Sequence, residues 1–312
     1  MRTVVMTGGT SGFGRLALSQ LQRPGRRIVV GARGAGRDGV TMLSLDLSSL
    51  AKVRQFASRV LEEVAEAPID ALILNAGLHS TDPTARSADG YELSFATNHL
   101  GHYLLLRLLM PRLADDARVV ITTSGTHDPA ERSGFPPPRH ADAWLLAHPE
   151  RESGIGRSSP VTAGRAFYAA SKLANLLTAR RLARLAAEEG RGWTALAYCP
   201  GQVPGTGLVR DYPAPMRLGW RLAGLLAGAP FAARLMGVNT APAAAAALAG
   251  LAQGDIRPPG GRPPGGRVYA ALRRGTITWP DLSDLARRDD VADAMWRDSE
   301  VLVGLSAAPE PG

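Results

Sequence analysis

Short continuous apolar runs alternate with stretches of helical period along the first two-thirds of the chain. Residues 3–7, 27–32, 40–46, 69–75, 118–123 and 193–198 are runs of strand length. Between them, residues 50–66 place Val53, Phe56, Ala57, Val60, Leu61 and Val64 at intervals of about 3.6, which gives a helix one buried face. Helices are likewise predicted up to residue 21 and over 93–113 and 165–189. Strands that are apolar throughout, rather than at every second position, are buried on both faces. The pattern therefore predicts an α/β fold, a doubly wound parallel sheet with helices on both sides. A late strand near 266–270 and a closing helix near 281–302 complete about seven strands in a single domain, 1–312.

Three segments break the alternation. Residues 125–164 carry Gly, Pro, Arg and Ser with little periodicity, apart from an apolar patch at 144–147, and read as an inserted loop. Residues 254–267 form a Pro/Gly loop with no capacity for a core. The most apolar stretch, 214–252, is interrupted by Pro215, Arg217, Arg221, Pro230, Arg234 and Pro242, so no membrane span is expected.

Composition narrows the partners. The net charge of +8 comes from arginines dispersed among acids, a solvated surface that attracts a polyanionic cofactor or an anionic substrate. An aromatic content of 5% supplies no stacking platform, and nucleic acid is not an expected partner. One cysteine, Cys199, excludes an internal disulfide, and six histidines without paired spacing give no metal site. The first strand begins by residue 3 with no signal peptide ahead of it, and the abundance of Ala, Arg, Gly and Pro fits a GC-rich bacterial genome. A cytoplasmic protein is expected.

The candidate chemistry begins where the first strand runs into Thr7-Gly8-Gly9-Thr10-Ser11-Gly12-Phe13-Gly14. Glycines 8, 12 and 14 stand where a strand-to-helix turn lets the backbone approach a pyrophosphate, with the helix N-terminus aimed at it. Such a turn belongs to a Rossmann-like dinucleotide site. The second strand ends Gly31-Ala32-Arg33, with no carboxylate for a ribose 2′-hydroxyl; Arg33 suits a 2′-phosphate, so the expected cofactor is NADPH/NADP+. Asp46, ending the third strand, could accept from the adenine amine or simply make a turn. Residues 168–172 read Tyr-Ala-Ala-Ser-Lys, which sets Tyr168 and Lys172 one helical turn apart. Lys172 and Lys52 are the two lysines beside 34 arginines, so position 172 calls for an ammonium on a thin stem. A cation beside a phenol favours phenolate, which makes Tyr168 a proton donor with a pKa expected below the free value of ~10.

These motifs, with Asp46-Leu47, Asn75-Ala76-Gly77, Asn98, Ser124 and Pro200-Gly201 in matching order and approximate spacing, resemble the short-chain dehydrogenase/reductases over nearly the whole chain. The resemblance implies that Tyr168 protonates a carbonyl oxygen as hydride arrives from the nicotinamide, while Ser124 holds that oxygen. It implies that Lys172 binds the ribose hydroxyls and lowers the tyrosine pKa, and that Asn98 holds a water linking Lys172 to solvent. Thr10, Ser11 and Phe13 would belong to the phosphate turn, Asn75-Ala76-Gly77 to the adenosine-ribose side, and Pro200, Gly201, Val203 and Thr206 to the nicotinamide amide. Within the family, residues 95–102, 206–210 and 296–305 resemble the protochlorophyllide reductase and retinol dehydrogenase branch, as do the 43 residues between Ser124 and Tyr168. Two positions depart from it: Gln202 follows Pro-Gly where the photoenzymes carry cysteine, and Gly205 replaces a frequent threonine.

Ligands of open parallel sheets bind outside the carboxyl ends of the strands. His127, Gln202, Tyr212, Met216 and Trp220 lie on segments leaving those ends and are expected to touch substrate. Residues 202–236 would form an apolar lid over a bulky hydrophobic or polycyclic carbonyl compound. The same segment also suits an oligomer contact or adsorption to a membrane surface. The expected function is NADPH-dependent reduction of a ketone, aldehyde or quinone of secondary metabolism by a monomer or homodimer. The alternatives are light-dependent protochlorophyllide-type reduction and a non-catalytic NADP-binding redox sensor.

Overall fold

Each apolar run becomes a strand whose successive side chains enter two different cores. The computed structural model describes residues 2–32, 39–152, 159–205, 212, 214–226 and 237–306. Its first six strands are β1 (Arg2–Thr7), β2 (Arg26–Ala32), β3 (Thr41–Ser44), β4 (Ile69–Leu74), β5 (Leu113–Thr122) and β6 (Thr194–Cys199). The helices between them are α1 (Gly12–Leu21), α2 (Leu50–Val64), α3 (Leu93–Phe95), α4 (Gly101–Leu109), α5 (Ala143–Ala147) and α6 (Pro160–Glu188). There follow α7 (Ala214–Leu226), α8 (Ala241–Gln253), β7 (Tyr269–Arg273), β8 (Thr276–Thr278) and α9 (Asp289–Leu302). Val5, Val29, Leu72, Val119 and Ile121 pack into one core with α2, α4, α6 and α9. Their neighbours Val4, Met6, Ile28, Val30, Ile73 and Val120 pack into the other with α1 and α8. That alternation is what covering a parallel sheet on both faces requires.

The strand order is β3-β2-β1-β4-β5-β6-β7-β8, parallel except for the antiparallel β7–β8 pair. The connection reverses direction between β1 and β4, the switch point at whose carboxyl edge ligands of such sheets bind.

Several boundaries differ from the sequence reading. The helix expected over 93–113 is interrupted by a π-helical turn at Ala96–Leu100, and β5 begins at Leu113 rather than 118. Gly101 follows the π-turn because a Cβ there would collide with the Leu47 carbonyl. An eighth strand hairpins off β7, and β7 itself lies at Tyr269–Arg273 instead of 266–270. The closing helix starts at Asp289, not 281. α8 was not foreseen; it is mostly alanine, capped by Thr240 at its start and by Gly254 (φ 84°) at its end, and it lies closely along α1.

The inserted segment is only partly a loop. Asp142 caps α5 through the Leu145 N–H (3.0 Å), and Ala143, Leu146 and Ala147 are buried in the main core. α7 rests on Pro204-Gly205 through Gly224, while Met216, Leu218, Leu222 and Leu225 remain between 47% and 77% exposed. No helix among the described residues is long and apolar enough to cross a membrane.

Candidate active site

Asn75, one residue past β4, ties three strand tips together. Its N–H donates to Thr7 Oγ1 (3.0 Å), its Nδ2 to the Gly8 carbonyl (3.1 Å), and its Oδ1 accepts from Thr122 Oγ1 (2.9 Å). Thr7 Oγ1 accepts a second amide, from Ala76, at 3.1 Å. With both lone pairs used, its O–H can only donate, and His102 Nε2 at 2.9 Å is the acceptor. The imidazole proton therefore sits on Nδ1, which donates to the Asn98 carbonyl at 3.0 Å. Burial keeps this ring neutral, pulling its pKa down to about 3.

The glycine turn is a cradle that side chains would fill. Gly8 (φ +69°) and Gly12 (φ +54°) occupy the left-handed region, and a Cβ on Gly8 would stand 2.6 Å from the Ala76 nitrogen. A Cβ on Gly14 would collide with the Gly8 carbonyl and lie 2.7 Å from Asn75 Nδ2. Ser11, at the N-cap of α1, makes no side-chain capping bond, so the first amides of the helix stay available. These residues fit the pyrophosphate of a dinucleotide. Gly14→Ala is accordingly expected to destabilise the fold by about 2 kcal/mol and to abolish dinucleotide binding, read by melting and by calorimetric titration. Ser11→Ala, which removes no bond, should leave the melting transition in place.

Asp46 makes the turn that its residue type allowed: its Oδ1 accepts from the Ser48 N–H (3.0 Å) and hydroxyl (2.6 Å). Leu47 beside it is buried. Arg33 and Thr206 lie outside the described residues.

α6 begins under a Ser159 cap with Pro160 in its first turn, and it carries Tyr168, Lys172 and Asn175 on its buried side. Lys172 Nζ donates to the Thr122 carbonyl (3.2 Å) and lies 5.6 Å from the centroid of the Tyr168 ring. Asn98, inside the π-turn, reaches the Leu78 backbone with both ends of its amide (2.8 and 2.9 Å) and Ser171 Oγ at 3.0 Å. A Cβ on Gly77 would stand 3.3 Å from Asn98 Oδ1 and 3.4 Å from Lys172 Nζ, so these three positions share one shelf. Ser124, just past β5, hydrogen-bonds the Tyr168 hydroxyl.

Burial dominates the electrostatics. It raises the Tyr168 pKa above that of free tyrosine; the neighbouring Cys199 adds to the effect and the Ser124 hydrogen bond opposes it. Burial also pulls Lys172 down to about 8. Lys172 is not among the groups that shift the tyrosine, so the phenol here is not acidified as the sequence spacing suggested. It keeps its proton at neutral pH, as a donor must.

Cys199 also belongs to this site. Its Sγ accepts from the amides of Gly125 (3.1 Å) and Gly201 (3.4 Å) and is hydrogen-bonded with Tyr269. The thiol thereby joins the turn after Ser124 to the turn after Pro200. Gly201 (φ +67°) is braced by Asn239, whose Nδ2 donates to the Pro200 carbonyl at 2.9 Å, and Val203 is buried beyond it.

Around the Tyr168 ring stand His79 (centroids 5.3 Å apart) and Phe135 (5.7 Å). Tyr212 closes the group 5.3 Å from His79, and its hydroxyl accepts from Arg165 Nε at 3.2 Å. His79 is buried and held near pKa 4 by that burial, with Nε2 lacking a hydrogen-bond partner. Of the other expected substrate contacts, His127 packs on Tyr269 instead (5.4 Å), Gln202 is exposed, Met216 points outward, and Trp220 has its Nε1 buried. His79, Phe135, Arg165 and Cys199 were missed in the sequence. Two of them carried a signal: Arg165 by its position three residues before Tyr168 on the same helix face, and Cys199 by adjoining Pro200-Gly201.

Residues 2–132 match the family model described as short chain dehydrogenase. Retinol dehydrogenase 14 of Mus musculus is 31% identical over 330 aligned positions, covering 97% of this chain and 86% of that protein. Dehydrogenase/reductase SDR family member 13 of Bos taurus and protochlorophyllide reductase A of Hordeum vulgare are each 36% identical, across 69% and 67% of this chain. The chain spans 55% and 59% of the lengths of those two relatives. A crystal structure of a Mycobacterium paratuberculosis protein aligns at TM-score 0.65 and 29% identity over 97% of this chain and 93% of its own. The 3-alpha-hydroxysteroid dehydrogenase of Pseudomonas sp. B-0831, complexed with NADH, shares the fold at TM-score 0.56 and 23% identity, over 86% of this chain and 95% of its own. With a near-full-length relative and a sheet of matching architecture, the chain belongs to the short-chain dehydrogenase/reductase family, in its protochlorophyllide reductase and retinol dehydrogenase branch.

Proposed function

We propose that this oxidoreductase uses NADPH to reduce a carbonyl group on a bulky hydrophobic substrate, a ketone, aldehyde or quinone of secondary metabolism, in the cytoplasm. One observation carries the reading: the Tyr168 hydroxyl, hydrogen-bonded to Ser124 and backed by Lys172, stands at the same sheet edge as the glycine cradle. A bound nicotinamide would supply the hydride. Ser124 and Tyr168 then offer two hydroxyls to one carbonyl oxygen, stabilising the developing alkoxide before Tyr168 releases its proton to it. Lys172, anchored on Thr122 and next to Gly77 and Asn98, is placed to replenish that proton. Aromatic walls from His79, Phe135 and Tyr212 favour a flat apolar substrate, and the retinol and protochlorophyllide named in two relatives are molecules of that class. The missing carboxylate after β2, with Arg33 next in sequence, favours NADPH over NADH.

The test is a panel of aryl ketones, aldehydes and quinones in the dark, followed by NADPH absorbance. At least one is expected to turn over, with kcat/KM for NADPH roughly tenfold above NADH, worth ~1.4 kcal/mol. Arg33→Ala should close that gap; equal use of both cofactors by the unmodified chain would remove the NADPH assignment. No turnover despite tight NADPH binding would leave a redox sensor. The identity with the barley enzyme keeps pigment photoreduction as a second reading, which turnover of protochlorophyllide only under illumination would establish. Against it, Cys199 is committed to two amides and Tyr269, and the position after Pro-Gly is Gln202.

A further inference from the structure

At the opposite edge of the sheet, five arginines surround a cleft of about 310 Å³: Arg2, Arg26, Arg118, Arg257 and Arg262. They come from the starts of β1 and β2, the middle of β5 and the segment after α8. Elsewhere some arginines are matched to acid, as in Arg107–Glu300 and Arg184–Asp293, both at 2.8 Å, while others, such as Arg15 and Arg54, stand singly rather than clustered around a cleft. Among the described residues, none of these five forms an ion pair.

Two carboxylates line the cleft, and neither neutralises it. Asp70 Oδ2 accepts from the Thr3 amide at 2.7 Å, and Asp116 attracts Arg118 without reaching ion-pair distance. Outside the lining, Asp255 and Arg23 act on Arg26 with opposite signs.

Neutral acceptors and close packing set the guanidinia instead. Arg26 Nη1 donates to the Leu21 carbonyl (3.2 Å) and Gln253 Oε1 (3.1 Å), and Arg257 Nε donates to the Gly254 carbonyl (3.2 Å). The Arg118 guanidinium lies against Gly254 so closely that a Cβ there would be 2.7 Å from its Cζ, Nε and Nη2; its Nη1 is buried with no partner. Burial and the charges of Arg257, Arg262 and Arg2 all disfavour its protonated form, while Asp116 works the other way. Like charges held in a concave site by neutral contacts are preorganised for an anion that is not part of the chain.

We propose that this cleft binds a polyphosphate, a phosphoanhydride chain either free or as the end of a nucleotide, at a site separate from the catalytic crevice. Guanidinia match phosphate oxygens in fork geometry, and the volume exceeds what a single phosphate fills. The six-residue strands β1 and β4 put roughly 20 Å between this edge and the glycine turn, so one ligand cannot span both.

Tripolyphosphate is titrated calorimetrically into the full chain already saturated with NADPH, which occupies the glycine turn. One saturable site is expected, with affinity falling steeply between low and physiological salt. Arg257→Gln/Arg262→Gln, at the exposed rim, should weaken binding at least about tenfold with unchanged melting, and Arg118→Gln should do so independently. The pair Arg59→Gln/Arg297→Gln, remote from the cleft, should change nothing. ATP binding more tightly than tripolyphosphate would identify a nucleotide; equal affinities would identify the bare chain. Absence of saturable binding, equal loss in the remote pair, or binding only to RNA or to anionic vesicles would each overturn the proposal.

Discussion

Replacing Tyr168 with phenylalanine should lower kcat for carbonyl reduction by about 10³-fold, the scale on which a positioned general acid acts. That loss corresponds to ~4 kcal/mol of transition-state stabilisation. The cofactor cradle lies on other elements, so dinucleotide affinity should stay within about twofold. The fold should also survive. The ring keeps its contacts with His79 and Phe135, and only the hydrogen bond with Ser124 is lost, a change of about 1 kcal/mol in stability. Ser124 Oγ would still accept the Thr126 amide at 3.4 Å. Ser124→Ala should cost less than the tyrosine change, because Tyr168 remains to protonate the oxygen. Undiminished turnover by the phenylalanine variant, on any substrate that the unmodified chain reduces, would end the assignment of Tyr168.

The parts of this site that were legible in the sequence are those written in backbone geometry and short spacing. The glycine turn could be read because positive φ and close approach admit no other residue, and Tyr168 with Lys172 because four residues make a helical turn. The sheet was legible through its doubly buried strands. What stayed hidden has a physical reason in each case. The π-turn at Ala96–Leu100 leaves the apolar pattern of 93–113 intact, since every residue in it is buried anyway. α8 is apolar all round, with no period to detect, and β8 is three residues long at a sheet edge. The last helix was read too long because Leu282, Leu285 and Ala286 continue its apolar pattern, although they reach the core from a non-helical segment. His79, Phe135 and Tyr212 come from three separate stretches of chain, and only the packed fold brings their rings together.

Lys172 yields the second large effect, and it runs in opposite directions for activity and stability. Burial pulls its pKa from the ordinary 10.5 to about 8, so the fold prefers the neutral amine. Between those two values the unfolded chain binds more protons than the native one, and native stability therefore rises with pH through that window. Below pH 8 the native chain carries a buried ammonium that costs about 3 kcal/mol, the equivalent of the shift. Lys172→Met should remove this cost. Without added cofactor, the variant should be the more stable protein at neutral pH, and its advantage should shrink as pH climbs from 8 towards 10.5. Activity should respond the other way, falling about 10²-fold or more as the cation beside Tyr168 is lost. In the unmodified chain kcat should decline as pH passes through about 8 and Lys172 gives up its proton, and the variant should lack that limb. Denaturant unfolding across the pH range and a kcat–pH profile measure the two responses. A stability difference that does not vary with pH would show that the amine is not held in the strained charged state inferred for it, whereas a retained alkaline limb would assign the titration to another group. An inward-facing charge that the fold would be more stable without is the physical signature of a residue retained for chemistry.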